Sequence, residues 1–335
     1  MRRVLAATFA ALGLSAAPAH ATLAYVKGLL SGKPVLHVAA DDGSGARVLV
    51  RGGFHPRVSP DGTRVAHLTG TRKVSLVVRP AAGGPGRTVA RNVWNFEAIR
   101  WSPDGTRLTV VTGPELGPYA LRLVNVAGGP SRTLDRGAFH GVSFSPDSTA
   151  LVWSRAPTSE YPIEADLYST VLGAGTPPVA LTDDGRATAP VWGPARIAFT
   201  RDRRPDRRGD YEKLDLFTIR PDGTGRRRLT RTEPPFLVAG LSPLAWSDDG
   251  LRLLASWSGQ DTNEAYRVDP ATGKATDLSG DASGVLGWDL SGDGTAVLAT
   301  TGGFDNPAGD VVAVAWDTGA STVLARRATQ PSWSR

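Results

Sequence analysis

A short turn signature recurs along the chain. It reads Ser59-Pro60-Asp61-Gly62, then Ser102-Pro103-Asp104-Gly105, then Ser145-Pro146-Asp147-Ser148. Weaker copies stand at Trp192-Gly193-Pro194, Trp246-Ser247-Asp248-Asp249-Gly250 and Leu290-Ser291-Gly292-Asp293-Gly294, and Pro331-Ser332-Trp333-Ser334-Arg335 reads as one more copy cut short. Aligned on the serine, the anchors fall at 59, 102, 145, 193, 247, 291 and 334, a period of 43 to 54 residues. A repeat of that length means stacked supersecondary units, with propeller blades as the leading case.

Each repeat carries the same local grammar. Around the second anchor, Glu97-Ala98-Ile99-Arg100-Trp101 alternates and reads as a strand. Pro103-Asp104-Gly105 turns the chain, because proline presets φ, aspartate caps locally and glycine takes positive φ. Arg107 to Val111, Ala120 to Val124 and Ser131 to Leu134 supply three further strands, giving an antiparallel A–B–C–D set. The chain ends are complementary. Residues 23–50 supply B, C and D strands without an A strand, and Thr329 to Ser334 is an A strand without followers. The expected fold is therefore all-β: a seven-bladed β-propeller of four-stranded antiparallel blades, closed by pairing of the N- and C-terminal strands, with six blades as the alternative count. Such closure leaves no open sheet end in the ring.

Five of the nine tryptophans (Trp101, Trp192, Trp246, Trp288 and Trp333) lie at or just before an anchor. The residues one and three places before the anchors are all apolar or proline, and period two sets them on one face of strand A. They read as packing between blades in preference to a ligand-stacking row. The turn aspartates Asp61, Asp104, Asp147, Asp249 and Asp293 read as turn caps, since calcium needs six to eight converging oxygens and these residues diverge around a ring.

The first 21 residues have the pattern of a secretory signal: Arg2-Arg3, an apolar run from Val4 to Leu14, and Ala19-His20-Ala21 as the cleavage site. The expected division is a signal peptide over 1–21 and one propeller domain over 22–335. The apolar run falls short of the roughly 20 residues that span a bilayer, and no later segment approaches that length, so the mature chain should be secreted or periplasmic with no membrane span. The chain contains no cysteine, which excludes thiol catalysis, Cys-ligated zinc and lipid attachment at the signal site. The formal charge is +6, carried mainly by arginine, and two of those charges leave with the signal. That modest excess on an exported chain argues against a nucleic-acid partner.

Function should lie in the variable loops. The connection 201–213 holds Arg203, Arg204, Arg207, Arg208 and Tyr211, and the neighbouring connection 154–164 holds Tyr161. Guanidinium groups with interleaved aspartates suit an anionic or carboxylate-bearing partner; the competing reading is a solvated, self-paired loop. On the same face, His55, Glu97 and His140 should approach the mouth of a central channel, where an acid–base pair or metal site competes with ordinary channel polarity. No H-E-x-x-H, G-x-S-x-G, phosphate-loop or EF-hand motif occurs, and no cofactor is expected.

The run Trp101-Ser102-Pro103-Asp104-Gly105-Thr106-Arg107-Leu108, with Ser59-Pro60-Asp61-Gly62-Thr63-Arg64-Val65-Ala66, resembles the TolB-type, WD40-like β-propeller repeat. The resemblance covers essentially all of 22–335 and implies a periplasmic module with a protein partner. Similar repeats form the gating propeller of prolyl-oligopeptidase-like enzymes and the body of oligogalacturonate lyases. The expectation is a monomeric, non-enzymatic binding module that recognises a protein, peptide or cell-wall glycan through its B–C/D–A face. The alternative is a polysaccharide lyase or hydrolase with its site at the channel mouth.

Overall fold

The computed structural model describes residues 22–334 except 116, 159–162, 204–212, 233–238, 260–262, 279–283 and 303–308. Apart from one 3-10 turn at Phe96–Ala98, the regular structure of the described residues is all strand. Five sheets have four antiparallel strands each. A sixth has eight, because parallel pairing of Lys213 with Ala239 and Leu214 with Gly240 joins two antiparallel sets. The sheet over 53–91 shows the pattern: Gly53–Val58, Arg64–Thr69, Ser75–Pro80 and Arg87–Arg91 pair in chain order. The following sheet runs through Arg100–Trp101, Arg107–Thr112, Ala120–Asn125 and Arg132–Arg136.

One sheet draws on both ends of the chain. Thr329–Trp333 pairs with Thr22–Lys27, which continues through Val35–Ala40 to Arg47–Arg51. Leu23 faces Trp333 and Ala24 faces Ser332.

The repeated turn is a small hydrogen-bonded device. Ser59 Oγ donates to Asp61 and accepts from the Arg64 amide at 3.0 Å, while the Thr63 amide donates to Asp61 at 3.1 Å. Ser102 with Asp104, Ser145 with Asp147, Ser247 with Asp249 and Ser291 with Asp293 repeat it. Burial opposes the Asp104 charge, but bonds from Ser102, Thr106 and Arg107 outweigh it and hold the carboxyl at about 2. These aspartates are turn caps, as their spacing implied.

The A strands depart from simple alternation. Their register skips between Phe54 and Arg57, Phe139 and Val142, and Thr188 and Val191. Four places before the anchor, His55, Ala189 and Gln330 take φ of 49°, 49° and 51°, and Gly141 takes 110°. A bulge there re-aims the strand. A Cβ on Gly141 would come within 2.8 Å of the Ala189 Cα, so close approach and positive φ together demand glycine. The expected strand Glu97–Trp101 is also cut short. Asn95 Oδ1 accepts from the Glu97 amide at 3.0 Å and caps the 3-10 turn, leaving only Arg100–Trp101 paired as a strand.

The core lies between neighbouring sheets. Leu68, Leu76, Ile99 and Leu108 fill one such layer, and Leu23, Tyr25, Leu298 and Trp333 another. The residues before the anchors pack there: Phe144, Trp246 and Trp333 are buried. Arginines latch one sheet to the next. Arg64 Nη2 donates to the Gly105 carbonyl at 2.9 Å, Arg107 Nη2 to Ser148 at 2.8 Å and Arg252 Nη1 to Gly294 at 3.0 Å. Indoles add to them, Trp101 Nε1 reaching the Arg57 carbonyl at 2.8 Å and Trp246 Nε1 that of Val191 at 3.1 Å. Much of the arginine surplus is thus scaffold.

Candidate functional site

Three connections on one face meet between the 53–91 and 100–136 sheets: residues 70–74, 92–97 and 113–119. They surround a groove of about 1430 Å³. Five of its lining side chains are cationic (Arg72, Lys73, Arg91, Arg122 and Arg136) and one is acidic, Glu115. Arg122 is anchored on the wall, its Nε donating to Thr112 Oγ1 at 3.1 Å and its Nη1 to Ser131 Oγ at 3.0 Å. Arg72, Lys73, Arg91 and Arg136 are exposed and make no ion pair among the described residues.

The groove also holds the only exposed tryptophan among the described residues. Trp94 is 43% exposed and stacks on Tyr119 with ring centroids 5.7 Å apart and planes 11° from parallel. Its amide donates to the Val111 carbonyl at 3.0 Å. Tyr119 is held in turn, its hydroxyl donating to the Glu115 carbonyl at 2.7 Å. Gly113 makes room: a Cβ there would lie 2.8 Å from the Pro118 carbonyl oxygen and 3.0 Å from the Tyr119 ring. The result is a flat, tethered apolar platform among exposed cations, which suits an anionic ligand with an apolar group.

Of the expected site residues, Arg204, Arg207, Arg208, Tyr211 and Tyr161 lie outside the described residues. Arg203 is described, and its guanidinium turns inward. It pairs with the fully buried Asp215 and donates to the Thr232 carbonyl at 2.7 Å. Arg228 reaches the same carboxylate at 2.6 Å.

His55, Glu97 and His140, expected at a channel mouth, form no hydrogen-bonded triad among the described residues. The His55 ring lies 5.2 Å from Phe96 and 6.3 Å from Phe54. Its Nδ1 and the His140 Nε2 are buried and have no hydrogen-bond partner among the described residues. Burial lowers the His140 pKa, while the Glu97 carboxylate acts in the opposite direction. Among the described residues, no group of three His, Cys, Asp or Glu side chains is placed to hold a metal ion. Two arginines enter the same space: burial and the Arg100 guanidinium bring Arg57 down to about 10, with Asp289 and Glu97 opposing.

Two histidines of the 53–91 sheet should give the protein a pH response. Burial and nearby Arg57 bring His55 to about 4, and burial brings His67 to about 4 as well, against an ordinary 6.5. Arg79 Nε donates to His67 Nε2 at 3.1 Å, which requires the neutral ring. Because the folded values are depressed, the unfolded chain takes up these protons first as the pH falls. The stabilisation is complete above about 6.5 and is lost toward pH 4, at about 3 kcal/mol per ring. The melting temperature should fall through that window, and His67→Gln should flatten the fall. A variant that tracks the parent would assign the slope to other groups.

Four-stranded antiparallel sheets that pack face to face on strands of one repeated register define a β-propeller. No protein-family model matches the sequence, and no relative was found among curated proteins. The fold is nevertheless shared with solved structures. TolB from Acinetobacter baumannii matches with a TM-score of 0.55 at 13% identity, over 94% of this chain and 66% of that one. The β-propeller domain of the Trilobed protease from Pyrococcus furiosus matches with 0.65 at 13% identity, over 88% and 90%. A puromycin-hydrolyzing peptidase from Mycobacterium tuberculosis matches with 0.64 at 19% identity, over 88% and 50%. The fold is a TolB-like β-propeller. The chain spans about two thirds of the length of that TolB and half that of the peptidase.

Proposed function

We propose that this chain is a secreted or periplasmic binding module: a seven-bladed propeller, closed by its terminal strands, that recognises a protein, peptide or cell-envelope ligand without turning it over. The groove between the 53–91 and 100–136 sheets carries this reading, because it joins three connections of one face around an open tryptophan and four cations that make no ion pair among the described residues. The pairing of Thr329–Trp333 with Thr22–Lys27 supports the closure. Export rests on the signal pattern in residues 1–21, which lie outside the described residues. Among the described residues no helix is long and apolar enough to cross a membrane.

Immobilised 22–335 should retain a ligand from an envelope extract. Added back to the free protein, that ligand should slow hydrogen exchange at 70–74, 92–97 and 113–119. Protection confined to the Ser-Pro-Asp-Gly turns, or chemical conversion of the ligand by the protein, would overturn the proposal.

A further inference from the structure

The groove has a wall that the binding reading leaves unused. Arg87–Arg91 is the last strand of its sheet and, among the described residues, pairs on one side only, with Ser75–Pro80. Thr88, Val89, Ala90 and Arg91 line the groove, so an edge strand borders the space that Trp94 and the cations surround. An unpaired edge offers a row of backbone donors and acceptors to any chain that can lie beside it.

We propose that the groove takes an acidic, extended segment of a partner protein, which adds as a strand along Arg87–Arg91 and sets an apolar or aromatic side chain on Trp94. The proposal rests on the reading of this face as a binding surface. Main-chain pairing would give affinity, and alternate side chains would give specificity. A five-residue edge at the usual strand rise accommodates a segment of about five or six residues.

Charge selects the occupant. Arg72, Lys73, Arg91 and Arg136 meet only Glu115 among the lining residues, so a ligand carrying carboxylates gains where a neutral or basic one does not. The same cations argue against a second copy of this chain, because two such edges brought together would repel. The edge also favours a peptide over an acidic polysaccharide: uronates could pair with guanidinium groups and lie on Trp94, but they have no amide ladder to match the strand. Trp94 and Tyr119 are already stacked and tethered, so little ordering cost falls on the platform when a ligand arrives.

The test uses 22–335 and a blocked peptide of about ten residues, glutamates around a central Phe-Val pair, long enough to cover the edge. Its binding is followed by calorimetry and by the fluorescence of Trp94. Companion probes are the same peptide with lysines for glutamates, the acidic peptide N-methylated at alternate amides, and an oligogalacturonate. The acidic peptide should bind, and its affinity should fall with salt. The double reversal Arg91→Glu with Arg136→Glu should weaken it at least about tenfold. Trp94→Ala should weaken it and abolish the fluorescence response. Charge reversals at Arg51 and Lys274, outside the groove, should change affinity by less than about twofold. Circular dichroism and melting confirm that each variant is folded.

Failure of the acidic peptide to bind, equal binding of the lysine peptide, or equal loss from the two sets of reversals would overturn the proposal. Undiminished binding of the N-methylated peptide would overturn the added-strand geometry. Groove-dependent binding of oligogalacturonate without the peptide would refute the peptide class and leave the face as a binding surface. Ligand protection elsewhere on the same face, with a silent groove, would separate the two proposals in the same way.

Discussion

Deletion of residues 328–335 should remove most or all of the fold's stability. The segment contributes a whole strand, Thr329–Trp333, and its ladder to Thr22–Lys27. It also carries Trp333, 9% exposed among Leu23, Tyr25 and Leu298. Truncating a buried aromatic of that size costs about 3–5 kcal/mol by itself. Three further bonds leave with the strand. The Val58 amide donates to Ser332 Oγ at 3.0 Å, the His55 amide to Gln330 Oε1 at 2.9 Å and the Thr22 amide to Ser334 Oγ at 2.9 Å. Two of these tie the terminal strand to the adjoining 53–91 sheet, so their loss leaves donors open on both neighbours. Together the losses reach the whole stability of an ordinary domain, about 5–15 kcal/mol. Urea unfolding of 22–327 against 22–335 checks this, with Trp333→Ala expected to fall between them. A truncated chain with the midpoint of the full one would show that the ends do not close the fold.

The residues that made the fold legible are those that repeat. The Ser-Pro-Asp-Gly turns, the alternating runs beside them and the tryptophans before the anchors each report local geometry, and each recurs often enough to set register. The A-strand bulge was not legible, because His55, Gly141, Ala189 and Gln330 share a positive φ and no side-chain chemistry. Strict period two passes over such a position. The candidate site was less legible still. Arg203 drew attention through its arginine-rich surroundings, but charge alone does not say which way a side chain turns, and a buried aspartate met later in the chain decides it. Trp94 carried one usable signal: it stands away from the anchor register that five of the other tryptophans keep. Its partner Tyr119 lies in a different sheet's connection, a proximity only the fold creates.

A single substitution at Asp215 should cost as much as the loss of Trp333. Its carboxylate is fully buried between Arg203 and Arg228, and its Oδ1 also accepts from the Thr232 amide at 2.8 Å and from Thr230 Oγ1 at 3.1 Å. Asp166 occupies the equivalent place in the 138–180 sheet, where Thr182 Oγ1 at 2.8 Å and the Gly185 amide at 2.9 Å bond to it. The two sites share an Asp-Leu pair in one strand and a Leu-Thr pair just past the next, but among the described residues only Asp215 has paired arginines. The comparison therefore separates charge from hydrogen bonding. Asp215→Ala leaves two guanidinium groups largely shielded from water without a counter-charge, and should cost about 3–5 kcal/mol. Asp166→Ala removes neutral-donor bonds and should cost about 1–3 kcal/mol. If charge is the reason, Asp215→Leu combined with Arg203→Met and Arg228→Met should recover most of the loss, because an apolar replacement of a whole buried ionic group is often neutral. Urea midpoints of the four proteins decide the matter. Equal losses at the two aspartates, or no recovery in the triple variant, would mean that the threonine bonds and not the arginine pair hold this corner of the sheet.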